Sequence, residues 1–187
     1  MEVKPGTCVY LLDNVISDEL CKTIKIIVEN TEGHAEDYGF KSNVRSKSVE
    51  ITEIKNKKFA NIIDGEVYDI IKKVIVRVQE LNNLIPQISG DSGYCFRKIF
   101  GATRLHADTI HHDPDKPNIK QLRCLSLIIA LNDDYEGGEF YFPRQDIKIK
   151  LKKGQAILFP PYWTHPHGTN ELRNNTFRYT INTWLFE

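Results

Sequence analysis

Two histidines, one aspartate and one arginine in the second half of the chain have the types and spacing to act together chemically. His106 and Asp108 lie two residues apart, so at the end of a strand both side chains project from one face. His167 lies in the proline-containing stretch 159–168, and Arg178 follows it eleven residues later. Two histidines and one carboxylate can form a facial triad that holds Fe(II) through three protein ligands. Three coordination positions then stay open, as oxygen chemistry requires.

The His-x-Asp pair is a weak signal when it is taken alone. The chain contains a second such pair, His111-His112-Asp113, and His165 competes with His167 for the place of the third ligand. Any one of these histidines could also be a surface or hydrogen-bonded residue that binds no metal. The residues alone leave these alternatives open.

The first ninety residues contain the helical patterns. A short strand is predicted over 8–16 and a helix over 18–30, where Ser17 is a suitable N-cap. The stretch 31–58 is polar and mixed, and we interpret it as a solvated loop surface. Apolar residues then recur at three- and four-residue steps over 67–84, which predicts an amphipathic helix that ends before Pro86 and covers a sheet face.

From about residue 93 onward the pattern is that of short strands separated by Gly, Pro, Asn and Asp. Residues 147–152 alternate between apolar residues and lysine, which predicts one buried face and one wet lysine face. Gly137-Gly138 predicts a tight turn with positive φ. The predicted strands are 94–100, 122–131, 139–142, 147–151, 156–159 and 177–186. Helices followed by many strands favour helices packed on an antiparallel sandwich or jelly roll.

Composition limits the classes of function. The 187 residues carry 25 Lys+Arg and 25 Asp+Glu, and this balance gives no support to a nucleic-acid-coating or membrane-surface protein. No apolar signal core or membrane-spanning run is present. The four cysteines form no CxxC pair, which excludes zinc-finger and disulfide-scaffold classes and predicts reduced thiols in a cytoplasmic protein.

The region from Gly101 to Trp184 resembles the iron- and 2-oxoglutarate-dependent oxygenases, in particular their prolyl 4-hydroxylase-like branch and its compact bacteriophage forms. The elements that carry the resemblance occur in the family's order. They are His106-Ala107-Asp108, Arg123-Cys124-Leu125-Ser126, Leu131-Asn132, Asp133-Asp134-Tyr135-Glu136-Gly137-Gly138-Glu139-Phe140, Lys153-Gly154, Phe159-Pro160, His167, Arg178-Tyr179 and Thr183-Trp184.

The resemblance implies a mainly β fold with flanking helices, a double-stranded β-helix (jelly roll) supported by two N-terminal helices. It implies one domain over 1–187, with an N-terminal strand and supporting helices in 1–90 and the jelly-roll core in 91–187.

The resemblance also implies the cofactors and their residues. The iron ligands would be His106, Asp108 and His167, since relatives place the third ligand after a proline and about ten residues before the arginine. Arg178 would bind the distal carboxylate of 2-oxoglutarate, and Thr180 on the same strand face would add a hydroxyl. The expected cofactors are Fe(II), 2-oxoglutarate and O2, with ascorbate as reductant.

Two departures from the family pattern concern this same site. The spacing from the third ligand to the arginine is about one residue longer than usual. Ala130 stands where some relatives have a tyrosine that supports the cosubstrate.

The implied reaction is C–H hydroxylation with conversion of 2-oxoglutarate to succinate and CO2, and the best candidate substrate is a prolyl residue in a peptide or protein. We expect no nucleic-acid or membrane partner, make no prediction of oligomeric state, and expect the host cytoplasm if the chain is virus-encoded. Arg104, Arg144 and Trp163 are candidate substrate contacts by position.

Other readings of the same residues stay open. One is hydroxylation of another amino acid, a small molecule or a modified base on the same fold. A second is a non-catalytic jelly-roll metal-binding module. A third is a cupin-type enzyme using zinc or manganese with ligands drawn from His106, His111, His112 and His167.

Overall fold

The computed structural model describes residues 1–36, 46–108 and 122–187. Its helices are α1 (Asp18–Asn30) and α2 (Lys57–Leu81), and a short 3-10 helix spans Ile51–Glu53. The strands in chain order are β1 (Tyr10–Leu12), β2 (His34–Glu36), β3 (Ser46–Glu50), β4 (Gly90–Ile99), β5 (Thr103–His106), β6 (Arg123–Ala130), β7 (Glu136–Gly137), β8 (Phe140–Phe142), β9 (Ile147–Ile149), β10 (Ala156–Phe159), β11 (His167–Thr169), β12 (Leu172–Arg173) and β13 (Arg178–Phe186).

Both predicted helices are present, and their ends follow from their capping residues. Helix α1 has the predicted bounds, and the Ser17 hydroxyl accepts a hydrogen bond from the Leu20 amide at 3.2 Å. Helix α2 begins ten residues before the predicted start, because the Asn56 side chain caps it by accepting from the Phe59 amide at 3.1 Å. It ends before Pro86, as predicted.

The prediction of a polar loop over 31–58 is wrong for much of that stretch. Strands β2 and β3, the 3-10 helix and the start of α2 all lie within it. Strand β3 pairs with β4, and its residues Ser46 and Ser48 are fully buried. Short hydroxyl side chains hide the apolar alternation that identifies a strand, so the sheet partner, and not local propensity, makes this segment extended.

The described strands form one large sheet, one smaller sheet and a two-stranded pair, and all their pairings are antiparallel. The large sheet has the order β1-β10-β6-β13-β4-β3-β2, the smaller sheet has β5-β11-β8-β9, and β12 pairs with β7. The predicted strands are confirmed with ends shifted by a few residues, whereas β5, β7, β11 and β12 were not predicted. They are two to four residues long and too short to show a period.

The large sheet has two different faces, because side chains alternate along each strand. One face packs on the helices, where Phe96, Leu127 and Ile181 meet the apolar stripe of α2. The other face packs on the smaller sheet, where Ile128 and Ile157 join one apolar cluster with Phe142. The predicted helices-on-sandwich arrangement is therefore confirmed, and the inner face of the large sheet is available to build a site between the two sheets.

Two smaller predictions are also confirmed. Lys148 and Lys150 are exposed beside buried Ile147, as the alternating pattern indicates. Gly137 and Gly138 have φ values of 71° and 66°. A Cβ on Gly137 would overlap a backbone carbonyl oxygen, so the turn needs glycine for space as well as for conformation.

All four cysteines are free thiols. Burial raises the pKa of Cys21 and of Cys124 to about 11, so neither thiol is a nucleophile at neutral pH. Among the described segments, neither helix combines the length and the apolar character needed to cross a bilayer.

Candidate functional site

The smaller sheet brings both histidines and the aspartate of the predicted triad together. His106 is the last residue of β5 and pairs in register with His167, the first residue of β11. Cross-strand partners project from the same face, and the two ring centroids are 4.4 Å apart. Asp108 follows β5 by two residues, and one potential ligand atom from each of the three side chains lies within 4.8 Å of the others.

Backbone carbonyls fix the orientation of both imidazole rings. His106 Nδ1 lies 2.9 Å from the Arg104 carbonyl oxygen, and His167 Nδ1 lies 3.1 Å from the His165 carbonyl oxygen. A carbonyl can only accept, so each Nδ1 carries the proton. Each Nε2 then faces the Asp108 carboxylate, at 3.1 Å from His106 and 3.5 Å from His167. This is the arrangement in which a neutral histidine offers its Nε2 lone pair to a metal.

The competing histidine has a different environment. His165 Nε2 donates to the Thr7 carbonyl oxygen at 2.7 Å, and its Nδ1 contacts the Thr164 hydroxyl at 2.9 Å. Both ring nitrogens are therefore engaged away from Asp108, which favours His167 as the third ligand. The second pair, at 111–113, lies outside the described residues.

Charge at the site suits a cation. Burial raises the pKa of the Asp108 carboxyl, but the His106 hydrogen bond, the nearby His167 and hydrogen bonds from Trp184 and Ser126 outweigh burial and hold that pKa well below its usual range. Burial lowers the pKa of His106, and Asp108 outweighs this to raise it overall. Burial also lowers the pKa of His167, and here burial dominates. The carboxylate is thus ionised and His167 is neutral at neutral pH.

A cavity of about 280 Å³ lies between the two sheets and reaches from the triad to Arg178. Arg178 begins β13, is only 2% exposed, and donates from Nη1 to the Gly138 carbonyl oxygen at 2.5 Å. The Gly137-Gly138 turn therefore also orients the arginine. A buried guanidinium that stays charged, at the opposite end of the cavity from a metal triad, suits a ligand with a distal carboxylate.

Alternate residues of β13 line this cavity. Thr180, Asn182 and Trp184 follow Arg178 on the inner face. The Thr180 hydroxyl donates to Asn182 Oδ1 at 2.5 Å, which leaves the Asn182 amide to donate toward the cavity. The predicted cosubstrate role of Thr180 stays a prediction, and Asn182 is a polar group that the sequence analysis did not identify. Ala130 pairs with Thr180 across the sheet.

Three residues around Asp108 also had no role in the sequence analysis, although Arg123, Ser126 and Trp184 all belong to the quoted motifs. The Ser126 hydroxyl donates to Asp108 Oδ2 at 2.7 Å, and the Trp184 side chain helps to lower the pKa of the same carboxyl group. Arg123 donates to the Asp108 carbonyl oxygen at 3.1 Å. The motifs drew attention to these three residues, but only the fold shows that they surround Asp108.

The three candidate substrate contacts lie away from the described wall of the cavity. Arg104 is exposed on β5. Arg144 stacks at 5.3 Å from the ring centroid of Trp163, which is 69% exposed. Their substrate roles stay predictions.

Comparison with known proteins identifies the domain. Residues 97–186 match the sequence model of the 2OG-Fe(II) oxygenase superfamily. This part of the chain is a 2OG-Fe(II) oxygenase domain. The family uses Fe(II), 2-oxoglutarate and O2, so the cofactors predicted from the resemblance are those of the oxygenase domain.

A curated relative and two solved structures extend the comparison. Prolyl 3-hydroxylase 2 of Rattus norvegicus is 29% identical over 195 residues, which cover 87% of this chain and 28% of the relative. The chain thus spans little more than a quarter of that protein. The viral collagen prolyl hydroxylase vCPH of Paramecium Bursaria Chlorella virus-1, solved with 2OG, has a TM-score of 0.68 at 20% identity and covers 98% of each chain.

The second structure is a prolyl hydroxylase of Trichoplax adhaerens in complex with a hypoxia inducible factor peptide. Its TM-score is 0.70 at 18% identity, with 97% of this chain and 84% of that chain covered. These structural similarities confirm that the oxygenase domain has the predicted jelly-roll fold.

Proposed function

We propose that the protein hydroxylates a C–H bond of a prolyl residue in a peptide or protein, using Fe(II), 2-oxoglutarate and O2. The observation that carries the proposal is that one cavity joins a His-Asp-His cluster at one end to the buried guanidinium of Arg178 at the other. Binding of a metal and of a dicarboxylate needs both ends.

In this proposal His106, Asp108 and His167 hold the metal. The backbone carbonyls accept from the two Nδ1 atoms and so direct each Nε2 toward the metal, and the ionised carboxylate supplies the negative charge. Bound with 2-oxoglutarate and O2, the metal centre couples oxidative decarboxylation to succinate and CO2 with transfer of one oxygen atom to a C–H bond. The protein supplies placement and a site with little water.

Arg178 binds the distal carboxylate of 2-oxoglutarate in this proposal. Its hydrogen bond to Gly138 and its packing against the Phe140 ring, 4.7 Å from the ring centroid, hold the guanidinium in place before the ligand arrives. Asn182, oriented by Thr180, adds a neutral donor between the arginine and the metal end. The remaining wall includes Leu127 and Ile128, which limit competing water.

The prolyl substrate is supported by the names of the relatives. The curated relative is a prolyl 3-hydroxylase, and the Trichoplax structure contains a peptide. The single-domain organisation over 1–187 is part of the same proposal, as is a cytoplasmic location, which the four free cysteines support.

The test uses purified protein under air with Fe(II), ascorbate and 2-oxoglutarate. Succinate is measured with and without a library of proline-containing peptides, and tandem mass spectrometry locates any added oxygen. Asp108→Ala should abolish turnover, whereas Asp69→Ala, an exposed aspartate on α2, should not change it. Triad-dependent succinate together with an oxidised proline supports the proposal. Oxidation of another residue type would overturn the prolyl substrate, and absence of 2-oxoglutarate binding would overturn the enzyme class.

A further inference from the structure

A second guanidinium lines the cavity in addition to that of Arg178. Arg97 on β4 pairs in register with Thr180 on β13, and both residues belong to the cavity wall. Cross-strand partners project from the same face, so the half-buried Arg97 side chain lies on the inner face of the large sheet. Neither the proposed metal ligands nor the proposed contacts to 2-oxoglutarate include Arg97.

The Arg97 side chain runs toward the metal end of the cavity. Its Nε donates to Cys95 Sγ at 3.2 Å, and its guanidinium carbon lies 5.7 Å from the ring centroid of Trp184. Trp184 follows Arg178 by six residues on β13, and its side chain helps to lower the pKa of Asp108. The Arg97 guanidinium therefore lies toward the place of reaction, whereas Arg178 lies at the opposite end.

Positive charge is concentrated around the Trp184 indole. The Arg123 guanidinium carbon lies 4.1 Å from the same ring centroid. Burial lowers the pKa of Arg123, the nearby Asp108 raises it, and the charge of Arg97 lowers it, with an overall decrease. The two guanidinium groups are thus close enough to repel each other, and an anion bound beside the indole would relieve this repulsion.

The charges of the loaded cavity do not balance without such an anion. Among the described residues that line the cavity, Arg97 and Arg178 are cations and Asp108 is the one ionised carboxylate. Fe(II) would add two positive charges, and 2-oxoglutarate would add two negative charges. One positive charge is then left in a site where little water screens it, and the molecule that has still to enter is the substrate.

We propose that Arg97 is a specificity-determining residue that binds a carboxylate of the substrate close to the proline that is hydroxylated. This inference rests on the proposed function and narrows its substrate class. The carboxylate belongs to an acidic side chain next to the proline or to the C-terminus of a peptide that ends in proline. A guanidinium has five N–H donors, so Arg97 can keep its contacts within the protein and still bind a carboxylate.

The experiment measures peptide binding by calorimetry to protein loaded with Mn(II) and 2-oxoglutarate in the absence of oxygen. One peptide pair differs only by Glu or Gln next to the proline, and a second pair ends in proline as the free acid or the amide. In at least one pair, wild-type protein should bind the acidic member about 10- to 100-fold more tightly, the usual effect of a hydrogen bond to a charged group. The pair that shows this preference identifies the source of the carboxylate.

Arg97→Gln should lose this preference while it binds the neutral peptides and 2-oxoglutarate within about threefold of wild type. Arg77→Gln, at an exposed arginine on α2, is the matched control and should keep the preference. Thermal melting shows whether the variants are folded. If Arg97→Gln is not folded, Arg97→Lys decides: it keeps the charge without the planar fork and should lose part of the preference, and an unchanged preference would contradict the role of the guanidinium.

The outcomes separate this inference from the proposed function. If wild-type protein oxidises proline-containing peptides under air but binds the acidic and neutral members of both pairs equally, the role of Arg97 is wrong and the proposed function stands. If Arg97→Gln weakens the binding of 2-oxoglutarate as much as that of the acidic peptide, Arg97 belongs to the cosubstrate site and the inference is overturned. If no proline is oxidised, the proposed function fails and this inference fails with it.

Discussion

Replacing Arg178 by Met tests the cosubstrate end of the cavity. The guanidinium is 2% exposed and is held by Gly138, so in the wild-type protein it meets a carboxylate with little competition from water. Removing one partner of a buried, hydrogen-bonded charge pair costs about 2–5 kcal/mol. Since each 1.4 kcal/mol is a factor of ten, the dissociation constant for 2-oxoglutarate should rise by about 30-fold to several thousand-fold. Arg178→Lys keeps the charge but loses the planar fork, so it should show an intermediate loss.

The assay is calorimetry of 2-oxoglutarate binding to Mn(II)-loaded protein without oxygen, repeated with 2-oxobutyrate, a keto acid that lacks the distal carboxylate. Wild-type protein should prefer 2-oxoglutarate strongly, and Arg178→Met should lose most of that preference while its affinity for 2-oxobutyrate changes little. Arg173→Met, at an exposed arginine on β12, is the control. An equal loss of affinity for both keto acids would refute the reasoning, because it would mean that the arginine acts on the fold and not on the distal carboxylate.

Three further predictions concern other parts of the structure. His167→Ala should abolish Mn(II) binding, whereas His165→Ala should retain it and only lower the melting temperature; the reverse result in the same titration would exchange the two roles. Gly137→Ala should lower the free energy of unfolding in urea by about 1–3 kcal/mol, since it adds a Cβ at positive φ against a backbone carbonyl, and an unchanged midpoint would contradict this. Burial raises the pKa of Glu29, but hydrogen bonds from Tyr179 and Lys98 outweigh the effect of burial and lower that pKa overall. The ionised Glu29 carboxylate therefore stabilises the fold at pH values above the pKa of Glu29 in the unfolded chain, and this stabilisation is lost as the pH falls through the lower pKa of Glu29 in the folded protein. The stability advantage of wild type over Glu29→Gln, measured by urea unfolding, should shrink below about pH 4 and not above it.

Much of the fold could be predicted because its period is visible in the residues. Helix α1 could be predicted from the Ser17 N-cap and an apolar stripe. The strands of the β half could be predicted because they alternate or are rich in branched and aromatic residues. Strand β3 could not be recognised, because Ser46 and Ser48 carry no apolar signal and are extended only through pairing with β4. The short strand β11 was hidden for a different reason: it pairs with β5 and β8, so its backbone hydrogen bonds come from distant parts of the chain.

The site divides in the same way between what spacing reveals and what only the fold supplies. The ligand types and the arginine follow from the order of motifs, and the structure brings them to one cavity, while their roles stay predictions until metal and cosubstrate binding are measured. The contacts of Ser126, Trp184 and Asn182 depend on which strands are neighbours and which face is inside. A motif gives a residue's position in the chain but not the atom that its side chain meets across a sheet.

The position of β13 in the large sheet has a consequence for how the site can change. It is hydrogen-bonded on both sides, to β6 and to β4, and its inner face carries Arg178, Thr180, Asn182 and Trp184 at every second residue. A slip of one residue would turn all of these side chains away together, so both ends of the cavity are either correctly built or lost as a unit. Tolerated sequence variation at this strand should therefore be rare. Sequence variation is more readily accommodated at exposed positions outside the cavity, such as Arg104, where a change does not disturb the register of the centre.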